Sequence, residues 1–341
     1  MSDGGPPAVV NPTDGPYTRG GGSVTRYIVR RLLLMIPILF LVTVIVFALI
    51  HLLPGDVARM MLGEEATPQA LATLREQLGL NAPLYVQYGR WVGGMLQGDF
   101  GRSMVNGIAV SELIGQRLPV TFELAILTFL LAALIAVPAG VISASRRGSG
   151  WDYSASVFAL SGLSIPHFWL GMMLILFFAV RLGWLPSGGY IPFTQDPVGN
   201  LRSMILPAVA TGLRQSAVLT RMVRSSLLET FGLDFVRTAR AKGLAEWTVI
   251  MRHAFRNALI PVVTVSGLQI AGLLGGLVIT ETIFMLPGFG RLIVDSIFNR
   301  DFITVQGAVT VSAALVVLVN LLVDLLYGRL HPRIQIGGET Q

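Results

Sequence analysis

Phe235-Val-Arg-Thr-Ala-Arg-Ala-Lys-Gly-Leu244, continued by Arg252-His-Ala-Phe-Arg-Asn-Ala-Leu-Ile-Pro261, is a basic hydrophilic interval set between two long apolar runs. Its local signals spell a short helix. Asp234 can accept hydrogen bonds from the free backbone N–H groups at its start, and Gly243 can take the left-handed conformation that ends it. Phe235, Val236 and Ala239 fall at i, i+1 and i+4 and make one face apolar, while Arg237, Arg240 and Lys242 spread over the remainder. Such a knob suits a groove in a partner. The plain alternative is a positively charged loop that only satisfies membrane topology, and charge by itself does not separate the two.

Outward from this interval the chain is apolar. Of 341 residues, 53% are hydrophobic and 13% charged, and the mean hydropathy is +0.68; soluble domains carry about 25% charge. A hydrocarbon core about 30 Å thick needs roughly 20 apolar residues in a helix. Six runs of that order occur, at about 31–53, 119–144, 153–180, 204–220, 259–281 and 302–328. The composition predicts an all-α integral membrane protein with six transmembrane helices. The net charge of +6 and pI near 10.1 report topology and not nucleic acid. Arg26, Arg30 and Arg31 precede the first run, Arg146 and Arg147 fill the second connection, Arg221 to Arg256 crowd the fourth, and Arg329 and Arg333 follow the last. The positive-inside rule then puts both termini and the 221–258 loop in the cytoplasm. The arginines of the long first connection do not conflict, because long loops cross largely regardless of charge.

Cysteine is absent, which excludes a disulfide or a thiolate metal site. Residues 1–25, rich in Gly, Pro and Ser, read as a disordered cytoplasmic tail, and 335–341 as a short C-terminal one. The 54–118 connection is the sizeable outer piece and predicts a small helical insertion between helices 1 and 2. Thr67-Pro68 opens a helix that Gly79 stops, a second follows Pro83 with Leu84, Tyr88, Trp91, Val92 and Met95 on one side, and Gly98-Asp-Phe-Gly-Arg102 is a turn. That aromatic side is read as packing on the membrane domain.

The runs themselves are uneven. Ser161-Gly-Leu-Ser164-Ile-Pro166-His-Phe-Trp169 predicts a kink or break in the third, and the freed backbone groups require protein or a watery cavity alongside. Gly272 and Gly276 in the fifth permit close helix approach, either within the subunit or beside a path where Gln269 meets cargo. Glu123, Glu281 and Asp324 lie within a turn or two of an interface, which favours anchoring over a proton relay. Arg214, Arg221 and Arg224 recur on one side of a helix, for snorkelling or for gating at the inner mouth.

Nucleotide chemistry is missing. A phosphate-binding loop needs Lys followed by Ser or Thr, and the one lysine, Lys242, is followed by Gly. His51, His167, His253 and His331 are too scattered for a two-histidine metal motif, and no Gly-x-Ser-x-Gly elbow occurs. No catalytic centre, metal site or cofactor is expected in this chain.

The run Val236–Leu244 with Arg252–Pro261 resembles the coupling segment of the dipeptide/oligopeptide/nickel permease family of ABC importers, at the first of its two permease subunits. The similarity extends through Leu53-Pro-Gly-Asp56, Gly98-Asp-Phe-Gly101, Arg117-Leu-Pro119, Glu281-Thr-Ile-Phe284, Pro287-Gly-Phe-Gly-Arg-Leu292, and Asn320-Leu-Leu-Val-Asp324 ahead of Pro332-Arg-Ile334. Against the general pattern Glu-Ala-Ala-x3-Gly-x9-Ile-x-Leu-Pro, Ala239 and Gly243 are kept; Arg237 stands for the Glu, Thr238 for the first Ala, and His253, Phe255 and Arg256 for Ile, Leu and Pro. The resemblance implies a type I importer fold over 26–334, with a coupling segment at 224–258, in a bacterial inner or plasma membrane. It implies a second, homologous permease subunit, two ATPase domains that bind ATP and Mg, and an extracytoplasmic binding protein. On it, Asp234, Phe235, Arg237, Thr238, Ala239 and Gly243 are the candidates for ATPase coupling. Ser164, Pro166, Gln269 and Glu281 are the candidates for the path, Glu281 with 54–118 at its outer entrance. Cargo is a di- or oligopeptide, or alternatively nickel, another small chelate or a glutathione-like molecule. A proton-driven carrier would show midplane carboxylates and two related halves, which this chain lacks; a scaffold with no transport role is a further rival.

Overall fold

The computed structural model describes residues 24–52, 57–62, 67–77 and 79–330. The expectations for most of the N-terminal tail, for Leu53–Asp56, for Pro332–Ile334 and for 335–341 lie outside the described residues. Within them the chain is helical without strands; one isolated antiparallel bridge joins Arg102 and Ala109.

The first helix, α1 (Val24–Leu52), turns apolar side chains outward: Leu33, Ile36, Phe40 and Leu41 are all more than half exposed. In water such a surface would aggregate; lipid is its natural solvent. After α2 (Val57–Leu62) and α3 (Pro68–Gln77) comes α4 (Leu84–Leu96). Thr67 caps α3 by accepting from Ala70 N at 3.2 Å, and Gly79 leaves it with φ +66°, both as the sequence predicts. Tyr88 and Trp91 of α4 pack on Phe47 of α1 with ring centroids 5.4 and 5.9 Å apart, and the Tyr88 hydroxyl meets Thr43 Oγ1 at 2.8 Å. The aromatic side of α4 therefore faces the membrane helix, and aromatic pairs of this kind stabilise by about 0.5–1.5 kcal/mol each.

The centre is α5 (Val110–Ser145) against α8 (Pro197–Phe231), the most extensive helix pair among the described residues. Their crossing is tight where a Cβ on Gly140 would come 2.7 Å from the Val223 side chain. Between them in sequence lie α6 (Gly150–Ser164) and α7 (His167–Leu174), the latter continued by a π-helical turn at Ile175–Arg181. These two meet at 98°. The break falls at Ile165–Pro166, where proline forces its predecessor out of the helical region; Ile165 has ψ 123°.

The second half begins with the short α9 (Asp234–Ala241) and the single turn α10 (Glu246–Thr248), which leads through a π-helical turn at Val249–Ala254 into α11 (Phe255–Gly276). Then come α12 (Val278–Ile283), α13 (Phe289–Phe298) and α14 (Phe302–Leu330). Close approach in this half is made by Gly267, where an added Cβ would collide with Val323 of α14, whereas a Cβ on Gly272 would meet nothing within 4 Å. The expectation of tight packing at Gly272 is corrected, within this subunit, in favour of Gly267.

Four helices among the described residues are long and apolar enough to cross a membrane, five if the bent α6–α7 pair counts as one span. The run at 204–220 lies inside α8, which differs because it buries Ser203, Thr211, Ser216, Thr220 and Ser226 against its neighbours. A helix enclosed by protein need not be apolar all round.

Candidate functional site

The end of α8 delivers the chain to α9. Gly243 has φ +74° with open space around it, the left-handed stop that the sequence predicts. The start differs from expectation. Leu233 is the N-cap, with ψ 146° and its carbonyl accepting from Val236 N and Arg237 N at 3.1 and 3.3 Å. Asp234 is the first helical residue; its side chain is 95% exposed and lies 3.5 Å from Arg237. A carboxylate there still favours the helix through the dipole at its N-terminus.

The two faces of α9 do different things. Val236 and Ala239 are buried in a cluster with Val223 and Leu227 of α8 and with Val249, Ile250 and Ala254. Arg240 bonds Glu246 at 2.7 Å and lies 5.6 Å from the Phe231 ring, closing the segment on itself. Left outward are Asp234, Phe235, Arg237, Thr238 and Lys242. The apolar face read from the sequence therefore splits: Phe235, 41% exposed, is available to a partner, while Ala239 belongs to this subunit's own core. Burying Val236 contributes about 1.5–3 kcal/mol toward holding the knob rigid on α8.

Above the knob is a latch. Asp152 of α6 accepts from Arg224 Nε and Nη2 at 2.7 and 3.0 Å, from the Ser143 hydroxyl at 2.5 Å and from Gly148 N at 3.0 Å. Four donors surround one buried carboxylate, so the α5–α6 turn and α8 are bound together at this end. Arg224 is thus paired, whereas Arg221, one turn away, is exposed with no hydrogen bond or ion pair among the described residues. Arg221 lines a cleft of about 690 Å³ with Ser156 and Leu160 of α6, Val218 and Ser225 of α8 and Val265 of α11.

The path candidates are not brought together. Ser164 and Pro166 are exposed at the α6–α7 bend, with Ser164 Oγ donating to Leu160 O at 2.9 Å. Gln269 of α11 has both amide atoms buried without a partner among the described residues. Glu281 is 0% exposed. Its carboxylate accepts from Thr121 Oγ1 at 2.6 Å, from Arg291 N at 2.8 Å and from Gly290 N, while Thr121 Oγ1 accepts from Phe289 N at 2.8 Å. A Cβ on Gly288 would collide with that carboxylate. Glu281 is a clasp between α5, α12 and the 287–291 turn and has no surface toward an entrance in this structure.

Glu123 and Asp324 are partnered as well. Tyr190 donates to Glu123 at 2.8 Å, and Arg31 meets Asp324 at 3.1 Å. Burial, reinforced by Glu123, pushes the Tyr190 phenol up to about 12, so it remains a donor at neutral pH. Asp301 is buried and fixes the 103–104 turn to α14, accepting from the Ser103 hydroxyl, Met104 N and the Thr304 hydroxyl. Sequence reading singles out neither Asp152, Thr121 nor Asp301; for Asp152 the available signal is an acid in the first turn of an apolar helix, which needs a partner.

Similarity to known proteins agrees with this architecture. Residues 136–336 match the family described as binding-protein-dependent transport system inner membrane component, and 24–125 match its N-terminal companion. A putative peptide transport system permease protein of Brucella abortus is 44% identical over 312 residues, covering 92% of this chain and 99% of that one. The dipeptide transport system permease protein DppB of Alkalihalophilus pseudofirmus is 43% identical over 330 residues, covering 91% and 99%. Among solved structures, a chain of the inward-facing MetNI methionine ABC transporter superposes with a TM-score of 0.52 at 17% identity, over 64% of this chain and 96% of that one, a likeness of fold. A helical membrane domain that shares this fold, and is matched along nearly its whole length by the family's two models, belongs to the inner membrane components of binding-protein-dependent transport systems.

Proposed function

We propose that this chain is the permease subunit of an ATP-driven peptide importer and forms half of its translocation path beside a second, homologous permease. The observation that carries the reading is the identity of 43–44% with peptide and dipeptide permeases over nine-tenths of the chain. Peptide cargo follows from those relatives. The chain crosses the membrane six times over 26–334, with α8 as the fourth span and both termini in the cytoplasm; 54–118 forms the outer insertion.

ATP and Mg are held by two partner ATPase domains. The exposed face of α9, with Asp234, Phe235, Arg237 and Thr238, docks on one of them, and Gly243 sets its exit. Because Val236 and Ala239 seat α9 in the core, a push on the knob moves α8, and the Asp152–Arg224 latch carries that movement to α6. Nucleotide can shift the balance between inward- and outward-open states only as far as it binds them differently. Ser164, Pro166 and Gln269 lie along the moving segments. A binding protein delivers cargo on the outer side.

The test is uptake by vesicles that contain both permeases, the ATPases and the binding protein. Labelled dipeptide should accumulate only with ATP, and deletion of 234–241 should abolish accumulation. Uptake that persists without ATP would sink the reading; uptake of nickel or of a glutathione-like thiol in place of dipeptide would move the cargo and keep the machine.

A further inference from the structure

Two arginines one turn apart on α8 have opposite circumstances. Arg224 is neutralised by Asp152, which takes its Nε and Nη2 donors. Arg221 lines the same cleft, is exposed, and faces no carboxylate among the described residues. The cleft wall supplies hydroxyls at Ser156 and Ser225 beside apolar Leu160, Val218 and Val265. Arg221 lies ten residues before the end of α8, about 15 Å along the axis, so it sits above α9 and within the helical bundle.

A guanidinium is a fixed fork that matches a planar carboxylate with two parallel hydrogen bonds, and a hydroxyl can serve the remaining lone pairs. A cleft of about 690 Å³ is large enough for a short peptide. The latch joins α6 and α8, two walls of the cleft, at this end, and α9 is seated on α8. We propose that this cleft is a binding station at the inner end of the path, where Arg221 receives the free α-carboxylate of the peptide with Ser156 and Ser225 beside it. The assignment rests on the importer reading and deepens it. An anionic lipid headgroup offers the same charge and is the competing occupant.

The chain has no cysteine, so Ser225→Cys gives it a single thiol on the cleft. In inside-out vesicles that hold the complete complex, the labelling rate of Cys at 225 by a neutral maleimide is read on the mass of this subunit. Dialanine should slow labelling with a midpoint concentration about tenfold below that of dialanine amide, the worth of one charge-assisted hydrogen bond. Adding Arg221→Gln should erase the difference between acid and amide; because Arg221 is exposed and unpaired among the described residues, that change should leave the amount of assembled complex as it was.

Equal protection by acid and amide, a thiol that never reacts, or slowing by phosphatidylglycerol in place of peptide would each overturn the proposal. Labelling is read without uptake. Failure of the same vesicles to release preloaded dialanine on addition of ATP would count against the importer reading separately.

Discussion

Thr121 carries more than its size suggests. Its hydroxyl donates to Glu281 and accepts from Phe289 N, so one oxygen serves a buried acid and a buried backbone donor at once. Thr121→Val should leave Phe289 N without its acceptor and Glu281 with one donor fewer, and destabilise the subunit by about 2–6 kcal/mol, at 1–3 kcal/mol for each lost partner. Thr121→Ser should stay close to the parent, and thermal unfolding in detergent would compare them. Gly243 is the opposite case, a residue chosen by backbone alone. Its φ of +74° with nothing within 4 Å means that Gly243→Ala meets no clash, only the strain of about 1–2 kcal/mol for a left-handed alanine. The expected result is a modest fall in melting temperature with a larger fall in ATP-driven uptake, because the strain is relieved by re-aiming α9.

At the scale of the element, α9 separates stability from coupling across its width. Val236→Ala opens a cavity in the cluster that seats the helix and should cost about 2 kcal/mol. Arg237→Ala changes a side chain 72% exposed and should leave melting unchanged while peptide-stimulated ATP hydrolysis drops. If both substitutions acted alike on melting, the division of faces would be wrong. The bend between α6 and α7 has a comparably local cause. Pro166 holds Ile165 extended, and the 98° turn follows from one residue's forbidden region.

For the whole molecule, the proposed topology has α9 on one side of the membrane and the end of α4 on the other. Thr238→Cys and Phe235→Cys should cross-link to a copurified ATPase, while Ala239→Cys, at a position 5% exposed, should not. An impermeant thiol reagent added to intact cells should label Gln97→Cys and spare Thr238→Cys; the reverse pattern would invert the topology. Much of this arrangement is legible in the chain. The stop at Gly243, the break before Pro166, the Thr67 cap and the packing side of α4 all follow from rules that act over four residues or fewer.

The apolar runs and the basic loops determined that this is a helical membrane protein, because lipid demands that length and hydropathy of every exposed span. What the sequence could not decide is which neighbour each face meets. Phe235 and Ala239 sit on one apolar stripe, yet one faces out and the other in; Glu281 and Arg221 are both charges near a span's end, yet one is sealed by Thr121 and the other left open to a cleft. Those partners come from helices up to 160 residues away along the chain, and a separation of that size leaves no local trace. Tertiary packing alone assigns them.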